Sequence, residues 1–201
     1  MKTYTIKKFD PATGWDGIPT LNIDELLWTD KCDISACGQI AYSDEALLVH
    51  LWAKEKFIRA EGKELLDAPC KDSCLEFFFC PVEGDRRYLN IEFNPNCCVY
   101  LGMGSGVPDL VRFVPETPVK KQFGPRAVRT ADGWEIFYSV PFSFIRCFFP
   151  AFKAESGRSI RANCFKCGDL TVSPHYLSWN RVDSPTPQFH LSEYFGTMIF
   201  E

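Results

Sequence analysis

Histidine is scarce, with three among 201 residues, and none of His50, His175 or His190 stands in an HExxH or Cys–His signature. That scarcity removes the usual general base and metal ligand from most of the chain, and with it the zinc-protease and thiol-protease classes. Runs of Lys or Arg are also missing, and the formal net charge is −4. An electrostatic footprint for nucleic acid or an anionic membrane is therefore absent, and neither partner is expected. No apolar stretch approaches the length of a membrane span. The early lysines of MKTYTIKKFDPATGWDG are not followed by the apolar core of a secretory signal, which predicts a cytoplasmic protein with reduced thiols. Repeats, low-complexity tracts and linkers are missing too, so residues 1–201 read as one domain.

Two local patterns imitate catalytic motifs and fail on context. Ser105 in GMGSGVP matches GxSxG, but Pro108 and Pro115 interrupt the helix that a nucleophile elbow requires. The same glycines are followed by neither a Lys-Ser/Thr pair nor a helix, which excludes a phosphate loop.

What the chain has in quantity is aromatic surface, 15% of residues with 18 Phe, and ten cysteines. Cys164 and Cys167 have C-x-x-C spacing, Cys70 and Cys74 are four apart, and Cys97 and Cys98 are adjacent. Cys164 and Cys167 lie in an alternating strand pattern and should point to opposite faces, which is unsuited to wrapping an ion. The cysteines are read as small buried hydrophobes, with no metal ligand among them.

The hydrophobic period is two nearly everywhere. In ALLVHLWAK, Leu47, Val49, Leu51 and Ala53 fall on one face; in GWEIFYSVP, Trp134, Ile136, Tyr138 and Val140 do the same. CGQIAYS, LEFFFCP, RYLNIEFN, CCVYLG, the segment around Arg126 to Thr130, SIRANCFK, HYLSW and GTMIF are further strands. Turns fall at Ser43-Asp44-Glu45, Asn94-Pro95-Asn96, Asp132-Gly133 and Ser156-Gly157. This predicts an all-β antiparallel sandwich, jelly-roll-like. Only LNIDELLW and PFSFIRCFF read as helices, the second starting near Pro141.

Glu76 and Glu92 sit inside apolar strands, where a carboxylate must face solvent or find a partner. Three roles suit them: the solvent face of an edge strand, acceptors for sugar hydroxyls beside an aromatic floor, or the carboxyl pair of a glycoside hydrolase. The closing stretch SWNRVDSPTPQFHLSEYFG, from Ser178 to Gly196, is too broken by proline for a helix yet rich in aromatics. Its Trp179, Phe189 and Phe195 either plug one end of the sandwich or build a binding wall. Gly196 permits a tight entry to the final strand, against which Phe195 packs.

DSCLEFFFCP, RYLNIEFNPN, RANCFKCGD, HYLSWN and PQFHLSEYFG together resemble, in order and spacing, the family 9 carbohydrate-binding modules, with a DOMON-like β-sandwich. The resemblance spans about Gln39 to Phe200. It implies non-catalytic binding of a glycan or small saccharide, with a terminal sugar against aromatic rings and polar strand residues taking its hydroxyls. Carried over by position, it nominates Glu76, Glu92, Asn94, Asn163 and Lys166 as the polar floor. Trp179, Phe189 and His190 become a wall and Arg181 a donor. Where a second clamp aromatic is expected the chain has Ala68-Pro69-Cys70, so the stack is expected to be one-sided. The resemblance also makes calcium a possible ion, with Ser43-Asp44-Glu45 as a candidate turn, and leaves a homo-oligomer open. The alternative is a structural or protein-interaction sandwich whose sugar site has decayed.

Overall fold

The computed structural model describes residues 1–201. The chain runs β1 (Thr3–Lys8), β2 (Leu21–Ile23), β3 (Glu25–Leu26), β4 (Ser35–Tyr42), β5 (Ala46–Lys54), β6 (Cys74–Cys80), β7 (Tyr88–Phe93), β8 (Val99–Gly104) and β9 (Val111–Arg112). It continues through α1 (Val119–Phe123), β10 (Arg126–Arg129), β11 (Gly133–Pro141), α2 (Phe142–Phe148), β12 (Ser159–Cys167), β13 (Tyr176–Ser178) and β14 (Gly196–Phe200).

Two sheets face each other. One orders β10-β11-β5-β4, with β2 also on β4; the other orders β14-β12-β6-β7-β8-β9, with β13 beside β12 and β3 beside β13. Pairing is antiparallel, as the alternation predicts, except along β1. Thr3 to Ile6 run parallel to β14, and Lys7 and Lys8 continue parallel to the end of β4, so one strand stitches the two sheets together.

Period-two patterning fills the space between the sheets. Leu47, Val49 and Leu51 of β5 and Trp134, Ile136 and Val140 of β11 meet Leu75, Phe77 and Phe79 of β6 and Leu89, Ile91 and Phe93 of β7 in one core. Burying each such side chain contributes about 1.5–3 kcal/mol. PFSFIRCFF forms α2 directly after Pro141, burying Phe142, Phe144 and Ile145.

LNIDELLW is not a helix. Leu21 and Ile23 are buried and Asn22 exposed in β2, and Glu25-Leu26 pair with β13. An apolar run this short fits a period of two as well as 3.6, and pairing with β4 decides it. Ser43-Asp44-Glu45 closes the β4–β5 hairpin. Ser43 Oγ accepts from the Glu45 and Ala46 amides, and Asp44 pairs with Lys8 at 2.6 Å, so the Ser43 and Asp44 oxygens of the turn nominated for calcium already have partners.

The second sheet has an outer face as well. Phe78, Cys80 and Tyr88 point away from the core and pack with Phe165, Val182 and Phe195 beneath the closing stretch. That cover ends short of one end of β6, β7 and β12, and a cleft opens there.

Candidate functional site

The alternation of β6 and β7 puts Leu75 and Phe77, Ile91 and Phe93 into the core and so turns Glu76 and Glu92 outward. The register sets Glu76 opposite both Glu92 on β7 and Phe165 on β12. The cleft above them has a volume of about 220 Å³. Sites for drug-sized ligands occupy about 300–1,000 Å³, so this one suits a single sugar ring. Glu76, Glu92 and Cys167 form its floor; Trp28, Tyr176 and Phe189 its aromatic side; Cys70, Asp169, Gln188 and His190 complete the rim.

The wall is held rigidly. Phe189 stacks on Phe165 with centroids 4.2 Å apart and touches Trp28 at 5.6 Å. Trp28 donates its indole N–H to the Ser184 carbonyl at 2.7 Å, fixing the ring between the two ends of the chain. Its backbone φ is 54°, a left-handed conformation that a bulky residue adopts only at a cost in strain. His190 sits against Phe78 and shares a 2.9 Å hydrogen bond between Nδ1 and the Tyr88 hydroxyl. Burial pushes its pKa down to about 4, so it is a neutral ring at physiological pH.

The floor is electrostatically costly. Burial raises the Glu76 carboxyl to about 7, against a weaker lowering contribution from the Cys167 thiol, which donates to Oε1 at 3.0 Å. Burial, and then the neighbouring Glu76, push Glu92 well above the carboxylate range. Asn90 donates to Glu92 Oε1 at 2.8 Å. Gly102 lies opposite Asn90 in the register, and a Cβ there would collide with Asn90 Oδ1 and the Tyr100 ring, so glycine is what lets Asn90 occupy this position. Asp169 is also raised, first by burial, and its backbone amide donates to the Cys70 carbonyl at 2.9 Å.

Of the residues nominated from sequence, the cleft gathers Glu76, Glu92, Phe189 and His190. The others lie elsewhere, and each has a physical reason. Trp179 is in the core, edge-on to Tyr4 at 6.3 Å, because its strand parity points it between the sheets. Asn163 exchanges two 2.9 Å hydrogen bonds with the backbone of Asn180, fastening the chain after β13. Asn94 caps its own turn, accepting from the Asn96 and Cys98 amides, and donates to Gly62 O and Asp72. Arg181 is exposed.

Lys166 is fully buried on the core side of β12, the face of Ala162 and Cys164. Its Nζ lies 3.2 Å from Glu55 Oε2 and donates to His175 Nε2 at 2.6 Å and to the Cys167 carbonyl at 2.9 Å. His175 Nδ1–H donates to Ser173 O, and burial followed by the Lys166 charge lowers His175 to about 4. This is a structural polar cluster behind the cleft floor.

Sequence reading missed Trp28, Tyr176, Asp169 and Gln188. Trp28 and Tyr176 supply aromatic surface beside Phe189, where Trp179 was expected to do so. Gly196 follows expectation: a Cβ there would press on Lys2 O and the Trp179 ring. Phe195 is fully buried.

A family model described as carbohydrate-binding family 9 matches residues 11–200. The chain belongs to carbohydrate-binding family 9. Among solved structures, this family 9 chain is similar to a candidate carbohydrate-binding protein of Bacteroides uniformis. The two are 27% identical, with a TM-score of 0.85 over 100% of this chain and 99% of that one. Two structures of a family 9 module from Caldicellulosiruptor kristjanssonii share the fold. The complex with cellotriose has a TM-score of 0.68 at 10% identity, covering 100% of this chain and 94% of that one. The complex with glucose has 0.67 at 11%, covering 100% and 96%. Comparison with curated proteins gave no match.

Proposed function

We propose that this family 9 chain binds carbohydrate without cleaving it, taking one sugar ring into the cleft over Glu76 and Glu92. The observation that carries the reading is the pairing, in a cleft of single-ring size, of two buried carboxyls with the aromatic side formed by Trp28, Tyr176 and Phe189. A pyranose offers an apolar C–H face to aromatic rings and hydroxyls to the buried carboxyl groups of the floor. The Caldicellulosiruptor module, which shares the fold, is seen with glucose and with cellotriose.

The non-catalytic part of the reading rests on the family, whose matching model describes carbohydrate binding.

Calorimetric titration with glucose, cellobiose and cellotriose tests the reading. Ring contacts contribute on the order of 0.5–1.5 kcal/mol beyond area burial and charged hydrogen bonds about 1.5–3 kcal/mol. Dissociation constants from tenths of millimolar to millimolar are expected. Trp28→Ala and Phe189→Ala should each weaken binding by about tenfold, and Arg181→Ala should leave it unchanged. Absence of saturation by all three sugars at millimolar concentration would favour the interaction-sandwich alternative.

A further inference from the structure

The floor of the cleft brings together three buried groups that the sequence keeps far apart. Cys167 of β12 is the register partner of Cys74 on β6, and Glu76 follows Cys74 on the same outer face. Their ligand atoms, two Sγ and a carboxylate oxygen, all lie within 4.8 Å of one another. All three side chains are almost wholly buried, at 0%, 2% and 2% exposure for Cys74, Cys167 and Glu76. We propose that Cys74, Cys167 and Glu76 form a binding site for a thiophilic divalent metal ion of the zinc type, with its remaining coordination position open toward the cleft.

Three observations carry this assignment. Two sulfurs and one carboxylate oxygen match the donor types zinc accepts, and three protein ligands with one open position is the arrangement of accessible zinc sites. Access is provided, since Glu76 and Cys167 line the cleft. The three groups also lack partners of opposite charge on their own face: Cys167 donates to Glu76 Oε1 at 3.0 Å and toward the Cys70 carbonyl at 3.8 Å. The nearby cation, Lys166, is committed on the other face of β12 to Glu55. A divalent ion replacing the thiol protons would neutralise most of the charge that ligation creates. Ligation through one carboxylate oxygen leaves the other for a sugar hydroxyl, so the site does not compete in principle with carbohydrate. This reverses the expectation that the cysteines serve only as buried hydrophobes. Cys164 and Cys167 do diverge to opposite faces, and the partner of Cys167 comes from another strand.

The test is a titration of freshly reduced, chelator-treated protein with cobalt(II), followed by competition with zinc. The expected result is one ion per chain, with an intense sulfur-to-cobalt charge-transfer band that zinc abolishes. Cys74→Ser and Cys167→Ser should each remove most of that band, while the exposed Cys147→Ser leaves it intact. Glu76→Gln keeps both thiols and covers the case in which a cysteine variant fails to fold. It should keep the band but weaken cobalt binding by at least about tenfold, the lower end of what losing a supporting partner costs a metal site. A titration without a stoichiometric band, a band that survives both cysteine variants, or a Cys74–Cys167 disulfide in the protein before reduction would overturn the proposal. No sugar enters the measurement, so its failure leaves the carbohydrate reading untouched, and the reverse holds as well.

Discussion

Glu76→Gln is expected to stabilise the metal-free protein at about pH 8 and to leave its stability unchanged at about pH 4. In the fold the carboxyl is raised by burial to about 7, from an ordinary value of 4.5. The folded state therefore holds a proton that the unfolded chain has already released, and stability falls as pH rises from the unfolded value to the folded one. Above that window the wild type carries the full cost of a buried charge, and below it none. Gln keeps the shape and never ionises. A gain on the order of 1–3 kcal/mol is expected at the alkaline end, or a rise of roughly 2–4 °C in melting temperature per kcal/mol for a chain of this size. Thermal unfolding with chelator across this pH range is the check. A constant difference between the two proteins at all pH values would show that Glu76 is not buried against its charge. A group that destabilises the fold in this way is what a site held for binding looks like.

Lys166→Ala should act in the opposite direction, lowering stability by about 3–5 kcal/mol. Removing the ammonium leaves Glu55 buried at 3% exposure with only Ser73 Oγ, at 2.7 Å, donating to it. It also strips the donor from His175 Nε2 and the Cys167 carbonyl. The double variant Glu55→Gln/Lys166→Met removes both charges while filling much of the volume, and should recover most of the loss. Urea denaturation of the singles and the double measures the coupling. If the double is no better than Lys166→Ala alone, the ion pair is not what the buried lysine serves.

The strands were legible because alternation of apolar residues reports a sandwich face directly, and GWEIFYSVP forms β11 residue for residue. Glu76 and Glu92 stood out for the same reason: a carboxylate inside an apolar strand has few places to go. Parity would also have corrected Lys166. With Ile160, Ala162 and Cys164 facing the core, the lysine two residues on must face it too. Trp179 misled because a tryptophan near a loop reads alike whether it plugs a core or lines a cleft. Trp28 was hidden inside LNIDELLW, where a short apolar run resembles a helix and the left-handed turn leaves no compositional mark. The meeting of Cys74 with Cys167 depends on strand register, which no local spacing encodes.

Amide chemical-shift mapping during a glucose titration shows whether sugar enters the cleft over Glu76 and Glu92. Saturable shifts are expected, confined to the amides around Trp28, Cys70, Glu76, Glu92, Cys167, Tyr176 and Phe189, with those of β10 and β11 unmoved. Shifts centred on any other surface, or none at millimolar glucose, would contradict sugar binding in the cleft.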